Sequence, residues 1–178
     1  MVWDPNWLER PIAFIGLSGC GKSTLARLLA RALSWPWYDT DAAVAAAAGM
    51  SVADLFQTYG EAEFRAREAV ALAEALREAQ VIATGGGIVV SPENRRMLRE
   101  HATIIWLDAS DSTILARLAA DAEQRPLLRG DAAASLAALR AAREPLYAEL
   151  ADLKFQTDGL APIDLVQQMV AALRHGRT

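Results

Sequence analysis

The residues Gly16-Leu17-Ser18-Gly19-Cys20-Gly21-Lys22-Ser23-Thr24 fit the pattern G-x-x-x-x-G-K-[ST], and the chemistry this spacing serves is the cradling of a phosphate chain. Glycines let the backbone curl until its N–H groups converge on phosphate oxygens, and the start of a following helix adds partial positive charge. Lys22 would set a point charge near the β and γ phosphates, and Ser23 carries a hydroxyl suited to magnesium. Gly19, Cys20 and Gly21 would contribute backbone, and Thr24 is expected to pack or cap. The Cys20 thiol reads as a small filler at a variable position of the loop, not as a nucleophile. A chance lysine after a glycine turn is the bland alternative, and it fares poorly because a strand pattern precedes the motif and a helix pattern follows it.

Asp39-Thr40-Asp41 is the second group with chemical potential. Read as the end of a strand, it would point two carboxylates to one side, one serving magnesium and the other a substrate hydroxyl. A helix cap is an equally good reading of the same residues. Gly85-Gly86-Gly87 ends another strand pattern, and such a run lets backbone approach a ligand where a Cβ would intrude. Arg65 and Glu68 stand three apart, a spacing that on its own suggests only a helix-surface ion pair.

In this order and spacing the pieces resemble the shikimate kinase family: Gly16 to Thr24, Asp39-Thr40-Asp41, Phe64-Arg65-Ala66-Arg67-Glu68, Gly85-Gly86-Gly87, Arg125-Pro126-Leu127-Leu128, and Arg143 with Tyr147 and Glu149. The resemblance spans Ile12 to about Asp158. It implies an enzyme that phosphorylates shikimate to shikimate 3-phosphate with ATP and Mg²⁺, in the pathway to aromatic amino acids. It further implies that Lys22, Asp41 and Arg125 are catalytic, Asp41 binding the substrate hydroxyls and assisting deprotonation. Ser23 and Asp39 would hold magnesium. Arg65 and Arg143 would grip the shikimate carboxylate, with Glu68 orienting Arg65 and Gly85, Gly86 and Gly87 lying against the substrate. Arg125 would close over ATP, and Arg117 would flank the adenine, although on a helix it also reads as a surface charge. The chain departs from the family at Thr157 to Pro162, which lacks the arginine or asparagine common there, and at the bulky Ser34-Trp35-Pro36-Trp37.

The elements that must position these residues alternate. Ile12 to Ile15, Trp37 to Asp39, Val81 to Thr84, Thr103 to Leu107 and Lys154 to Gln156 have the short, apolar or β-branched character of strands. Helical spacing runs from Lys22 to Ala32, Ala42 to Ala48, Val52 to Tyr59, Glu61 to Leu76, Pro92 to Glu100, Ser112 to Ala120, Ala132 to Ala151 and Ile163 to Arg174, with a kink expected at Pro145. Alternation of this kind predicts an α/β fold: three layers, a five-stranded parallel sheet covered by helices on both faces, as in P-loop kinases. The expected organisation is one kinase domain over residues 1–178, with an arm at 1–10, substrate-binding helices at 42–78 and a lid loop at 123–131 containing Pro126 and Gly130.

The formal charge is -4, from 18 Lys+Arg against 22 Asp+Glu, so no general positive field favours nucleic acid or anionic lipid. A single cysteine argues against a disulfide framework and for a reducing compartment. Residues 1–10 lack a signal-peptide pattern and no later run is apolar enough to span a membrane, which predicts a cytoplasmic protein, expected to be a monomer. Two rivals stay open at this level. One is a related kinase for gluconate or a nucleoside monophosphate; the other is a nucleotide-binding regulatory module without catalysis.

Overall fold

A computed structural model describes residues 10–77, 80–120 and 131–175. Five strands form one parallel sheet: β1 (Ile12–Ile15), β2 (Trp37–Asp39), β3 (Val81–Ala83), β4 (Thr103–Asp108) and β5 (Leu153–Gln156), in the spatial order β2-β3-β1-β4-β5. Every pairing is parallel; Phe14 of β1 lies level with Ala83 on one side and Ile105 on the other. Helices therefore cover both faces, and the central strand β1 is apolar throughout, with all four residues fully buried. The expected fold class is what the chain adopts.

The helices are α1 (Lys22–Leu33), α2 (Thr40–Ala48), α3 (Val52–Ala75), α4 (Pro92–His101), α5 (Asp111–Ala120), α6 (Ala132–Leu150) and α7 (Pro162–His175). α1 packs on α7 and against β1 and β3, while α4 and α6 pack against β4. A short 3-10 turn, Ile88–Val90, follows the glycine run and contacts both α4 and α6. The connection leaving β1 leads to β2 on one side and that leaving the adjacent β4 leads to β5 on the other, and this divergence opens a crevice at the carboxyl edge beside β1. That crevice is where the glycine loops meet.

α2 and α3 carry a small core of their own. Val44, Leu55, Phe64 and Ala71 are buried together there, with the Phe56 and Phe64 rings 4.5 Å apart. α3 changes direction at Gly60, whose φ of 80° and ψ of 176° are outside any helix. The division expected between Tyr59 and Glu61 thus exists as a kink with no connecting loop. One expectation differs from the structure: α2 begins at Thr40, not Ala42, because the Asp39 side chain caps it. α6 continues through Pro145 to Leu150, as its helical spacing led one to expect. The bulky Ser34 to Trp37 segment is accommodated by Ser34 in the left-handed region (φ 57°), with Trp35 turned back against the main core and Trp37 exposed.

Candidate active site

The phosphate loop runs from β1 to the first turn of α1, with φ of 138° at Gly16, 85° at Gly19 and 100° at Gly21. These are values that side chains rarely adopt. Lys22 folds over this loop: its Nζ donates to the carbonyls of Gly16 and Leu17, each at 2.8 Å, and lies 3.8 Å from the Cys20 Sγ. The cation is thereby fixed above the loop. Cys20 is fully buried, as a filler should be. Thr24 is exposed, and no side chain caps α1, so it neither packs nor caps as expected.

Asp39 takes the helix-cap reading and also meets Ser23. Its Oδ1 accepts from the backbone N–H groups of Asp41 (3.0 Å) and Ala42 (3.1 Å), capping α2, while its Oδ2 accepts from the Ser23 hydroxyl at 2.6 Å. Asp41, however, stands in the first turn of α2 and not on the strand, so strand alternation does not explain its direction. Helix geometry brings it instead against Gly85. Thr40 completes the arrangement: its buried hydroxyl accepts from the Gly85 N–H at 3.0 Å, tying the start of α2 to the glycine run.

Each glycine of that run makes room for a side chain of the site itself. A Cβ on Gly85 would come within 2.5 Å of both Asp41 Oδ1 and Glu68 Oε1. One on Gly86 would meet the Oγ of Ser18 at 2.9 Å and its backbone nitrogen at 3.0 Å, and one on Gly87 would collide with the guanidinium of Arg65. The sequence reading assigned this space to a ligand; the structure gives it first to Asp41, Glu68, Ser18 and Arg65.

Arg65 and Glu68 are not a surface pair. Glu68 is fully buried on α3 and its Oε2 accepts from Arg65 at 2.7 Å, while Glu61 holds the other edge of the guanidinium at 3.1 Å and 3.2 Å. Burial pushes the Glu68 carboxyl above its ordinary value, against the opposing pull of Arg65. From the other side, α6 delivers Arg143 and Tyr147. Both donate to the Gly86 carbonyl, Arg143 at 3.3 Å and Tyr147 at 2.5 Å. Burial raises the Tyr147 hydroxyl, which keeps it a donor. Two arginines on separate helices thus flank one glycine run.

Arg117 is not a surface charge either. It donates to the carbonyl of Gly19 (3.2 Å) and to the hydroxyl and carbonyl of Thr157 (3.0 and 3.1 Å), and Thr157 in turn donates to the Cys20 carbonyl at 3.1 Å. It therefore binds the phosphate loop to the segment after β5. Arg125 and most of the 123–131 segment lie outside the described residues.

The geometry is that of a phosphate loop facing a carboxylate and two arginines, and comparison with known proteins narrows it. The profile of the shikimate kinase family matches residues 18–174. The chain belongs to the shikimate kinase family. It is 45% identical over 166 residues to the shikimate kinase of Symbiobacterium thermophilum, covering 92% of this chain and 95% of that one. With the shikimate kinase of Bordetella pertussis it shares 42% identity over 167 residues, covering 93% and 79% of the two chains. Among solved structures it is similar to the shikimate kinase from Acinetobacter baumannii in complex with shikimate, with a TM-score of 0.86, 33% identity and 90% of each chain covered. A gluconokinase from Sinorhizobium meliloti matches with a TM-score of 0.61 and 16% identity, a likeness of fold alone.

Ser18, Thr40 and Thr157 were not singled out from the sequence of this shikimate kinase family member. All are small hydroxyl residues whose partners stand far away along the chain. Only Thr40, wedged between two site aspartates, carried a local signal.

Proposed function

We propose that this chain transfers the γ-phosphoryl group of ATP to a hydroxyl of shikimate, yielding shikimate 3-phosphate and ADP, a step in the synthesis of aromatic amino acids. The observation that carries the reading is the convergence of Asp41, Arg65 and Arg143 on Gly85 to Gly87, with Ser18 of the phosphate loop against Gly86. A planar guanidinium pair suits a carboxylate, and a carboxylate beside it suits a hydroxyl.

In this mechanism Gly19, Cys20, Gly21 and Thr24 surround the phosphates, and Lys22 neutralises charge on the β and γ groups. Arg65 and Arg143 hold the shikimate carboxylate. Asp41 orients the attacking hydroxyl and receives its proton as the oxygen bonds to phosphorus and the bond to ADP breaks. Positioning and electrostatics do most of the catalysis, with no covalent enzyme intermediate. The Ser23 hydroxyl and the Asp39 carboxylate, 2.6 Å apart, are oxygen donors of the kind Mg²⁺ takes. Bound there with ATP, Mg²⁺ would supply neutralising charge to the phosphate oxygens. Among the described residues no three His, Cys, Asp or Glu side chains group to hold a metal, which suits an ion that keeps waters and phosphate oxygens as ligands. By family resemblance Arg125 closes over the transferring group, and Arg117, braced by Thr157, borders the base.

A single kinase domain with substrate helices near 42–78 and a lid at 123–131 accords with this reading, since α2 and α3 bring Asp41, Arg65 and Glu68. No helix among the described residues is long and apolar enough to cross a membrane. Cytoplasmic placement is in keeping with the lone buried Cys20, and the net negative charge disfavours nucleic acid and anionic membranes as partners. A monomer accords with exposed large apolar side chains being spread over separate elements, among them Trp37, Tyr59, Val90 and Ile163.

The test is ADP release by purified protein with Mg-ATP and shikimate, gluconate or AMP at matched concentration. Release with shikimate alone is expected. Preference for gluconate or AMP would reassign Arg65 and Arg143, and ATP binding without acceptor-dependent release would point to a regulatory module.

A further inference from the structure

Arg140 lies on α6, three residues before Arg143 and seven before Tyr147. Residues so spaced share one stripe of a helix. Its guanidinium reaches away from Gly86, toward the carboxyl end of β4. Nε donates to Asp111 Oδ1 at 2.7 Å, one terminal nitrogen to Asp108 Oδ1 at 2.9 Å and the other to the Ala109 carbonyl at 2.6 Å. Asp108 is nearly buried, and its second oxygen pairs with Lys154 at 3.0 Å; that ammonium also lies 3.6 Å from the centre of the Trp106 ring. All three acceptors of Arg140 belong to one turn, the link from β4 to α5. That turn borders the phosphate loop, because Gly16 packs against the Leu107 carbonyl and Gly19 against Ile114.

We infer that Arg140 is a positioning residue for shikimate binding, fixing α6 on the β4–α5 turn so that Arg143 meets the substrate carboxylate. The inference rests on the shikimate reading and deepens it. α6 also buries Leu136 and Leu150, but apolar contacts are non-directional and tolerate a small rotation or slide of the helix. Three bonds from one planar fork do not. Arg140 sets the helix against the β4 end, while Arg143 and Tyr147 meet the β3 end at Gly86. Held at both strand ends, the stripe between them has one placement, and the Arg143 guanidinium inherits it. Lysine could meet only part of this arrangement.

Steady-state kinetics of Arg140→Gln and Lys154→Met beside the parent decide the matter. Lys154→Met removes one positive charge from beside Asp108, as Arg140→Gln does, but leaves the bonds from α6 to the turn in place. Arg140→Gln should raise the shikimate KM by about tenfold, the scale of one lost charge-assisted bond, with ATP KM and kcat within about twofold of the parent. Lys154→Met should leave both KM values within about twofold. Should Arg140→Gln not fold, Arg140→Lys takes its place under the same criterion. A shikimate KM like the parent's, or ATP and shikimate KM rising together, would overturn the inference while an active parent upholds the functional reading. A parent that never turns over shikimate would overturn both.

Discussion

Gly87 has a φ of -100°, open to any residue, so an alanine there tests space alone. Its Cβ would enter the volume of the Arg65 guanidinium, the movable end of a long side chain. Gly87→Ala should therefore raise the shikimate KM by about tenfold yet shift the melting temperature by less than about 3 °C, as kinetics and calorimetry would show. Glu68 supports a pH prediction. Its carboxyl titrates above the unfolded value of 4.5 in the native protein. The native state thus holds the proton more tightly, a stabilisation complete below pH 4.5 and lost as pH rises through the native value. Glutamine has no such loss, so the melting temperature of the parent minus that of Glu68→Gln should fall across this range; a difference growing with pH would mean that Arg65 outweighs burial. The same variant should weaken shikimate binding through Arg65. The phosphate loop was readable from sequence because its residues are contiguous. The burial of Glu68 was not, since Arg65-x-x-Glu68 looks the same on any exposed helix.

At the scale of elements, all five strands and the helices around them were legible from short apolar or β-branched runs and helical spacing, two of the strands running into glycine. What the sequence left open was the junction of β2 and α2. An aspartate that ends a strand and caps a helix puts Asp41 on a helical turn, and only the cap distinguishes this from two carboxylates on one strand. Gly60 offers the corresponding test for α3. With φ of 80° and ψ of 176° and open space around its would-be Cβ, it resists substitution for backbone reasons alone. Gly60→Ala should destabilise the fold by about 1–3 kcal/mol in urea titration. The shikimate KM should rise as well, because Arg65 stands just beyond the kink.

Across the whole molecule, the order β2-β3-β1-β4-β5 gathers loops that the sequence scatters. Arg140 and Asp108 are 32 residues apart, and Arg117 and Thr157 are 40. Pairings over such distances leave no local pattern, so the grip of Arg140 on the β4–α5 turn and that of Arg117 on Thr157 could not be read from the sequence, whereas the family resemblance named Arg65, Arg143 and the Glu68 beside Arg65. Placing the phosphate loop beside Arg65 and Arg143 at one sheet edge also predicts separable defects. Lys22→Met and Asp41→Asn should each lower kcat by at least about a hundredfold, in ADP-release assays, while Arg143→Ala should act chiefly on the shikimate KM. Arg125→Ala should reduce kcat comparably to Lys22→Met if it meets the transferring group. The most direct measurement follows both products in one reaction: ADP by coupled assay and phosphorylated shikimate by mass spectrometry. Equal amounts of the two, formed only when shikimate is present, are predicted. ADP accumulating without phosphorylated shikimate would contradict phosphoryl transfer to this acceptor.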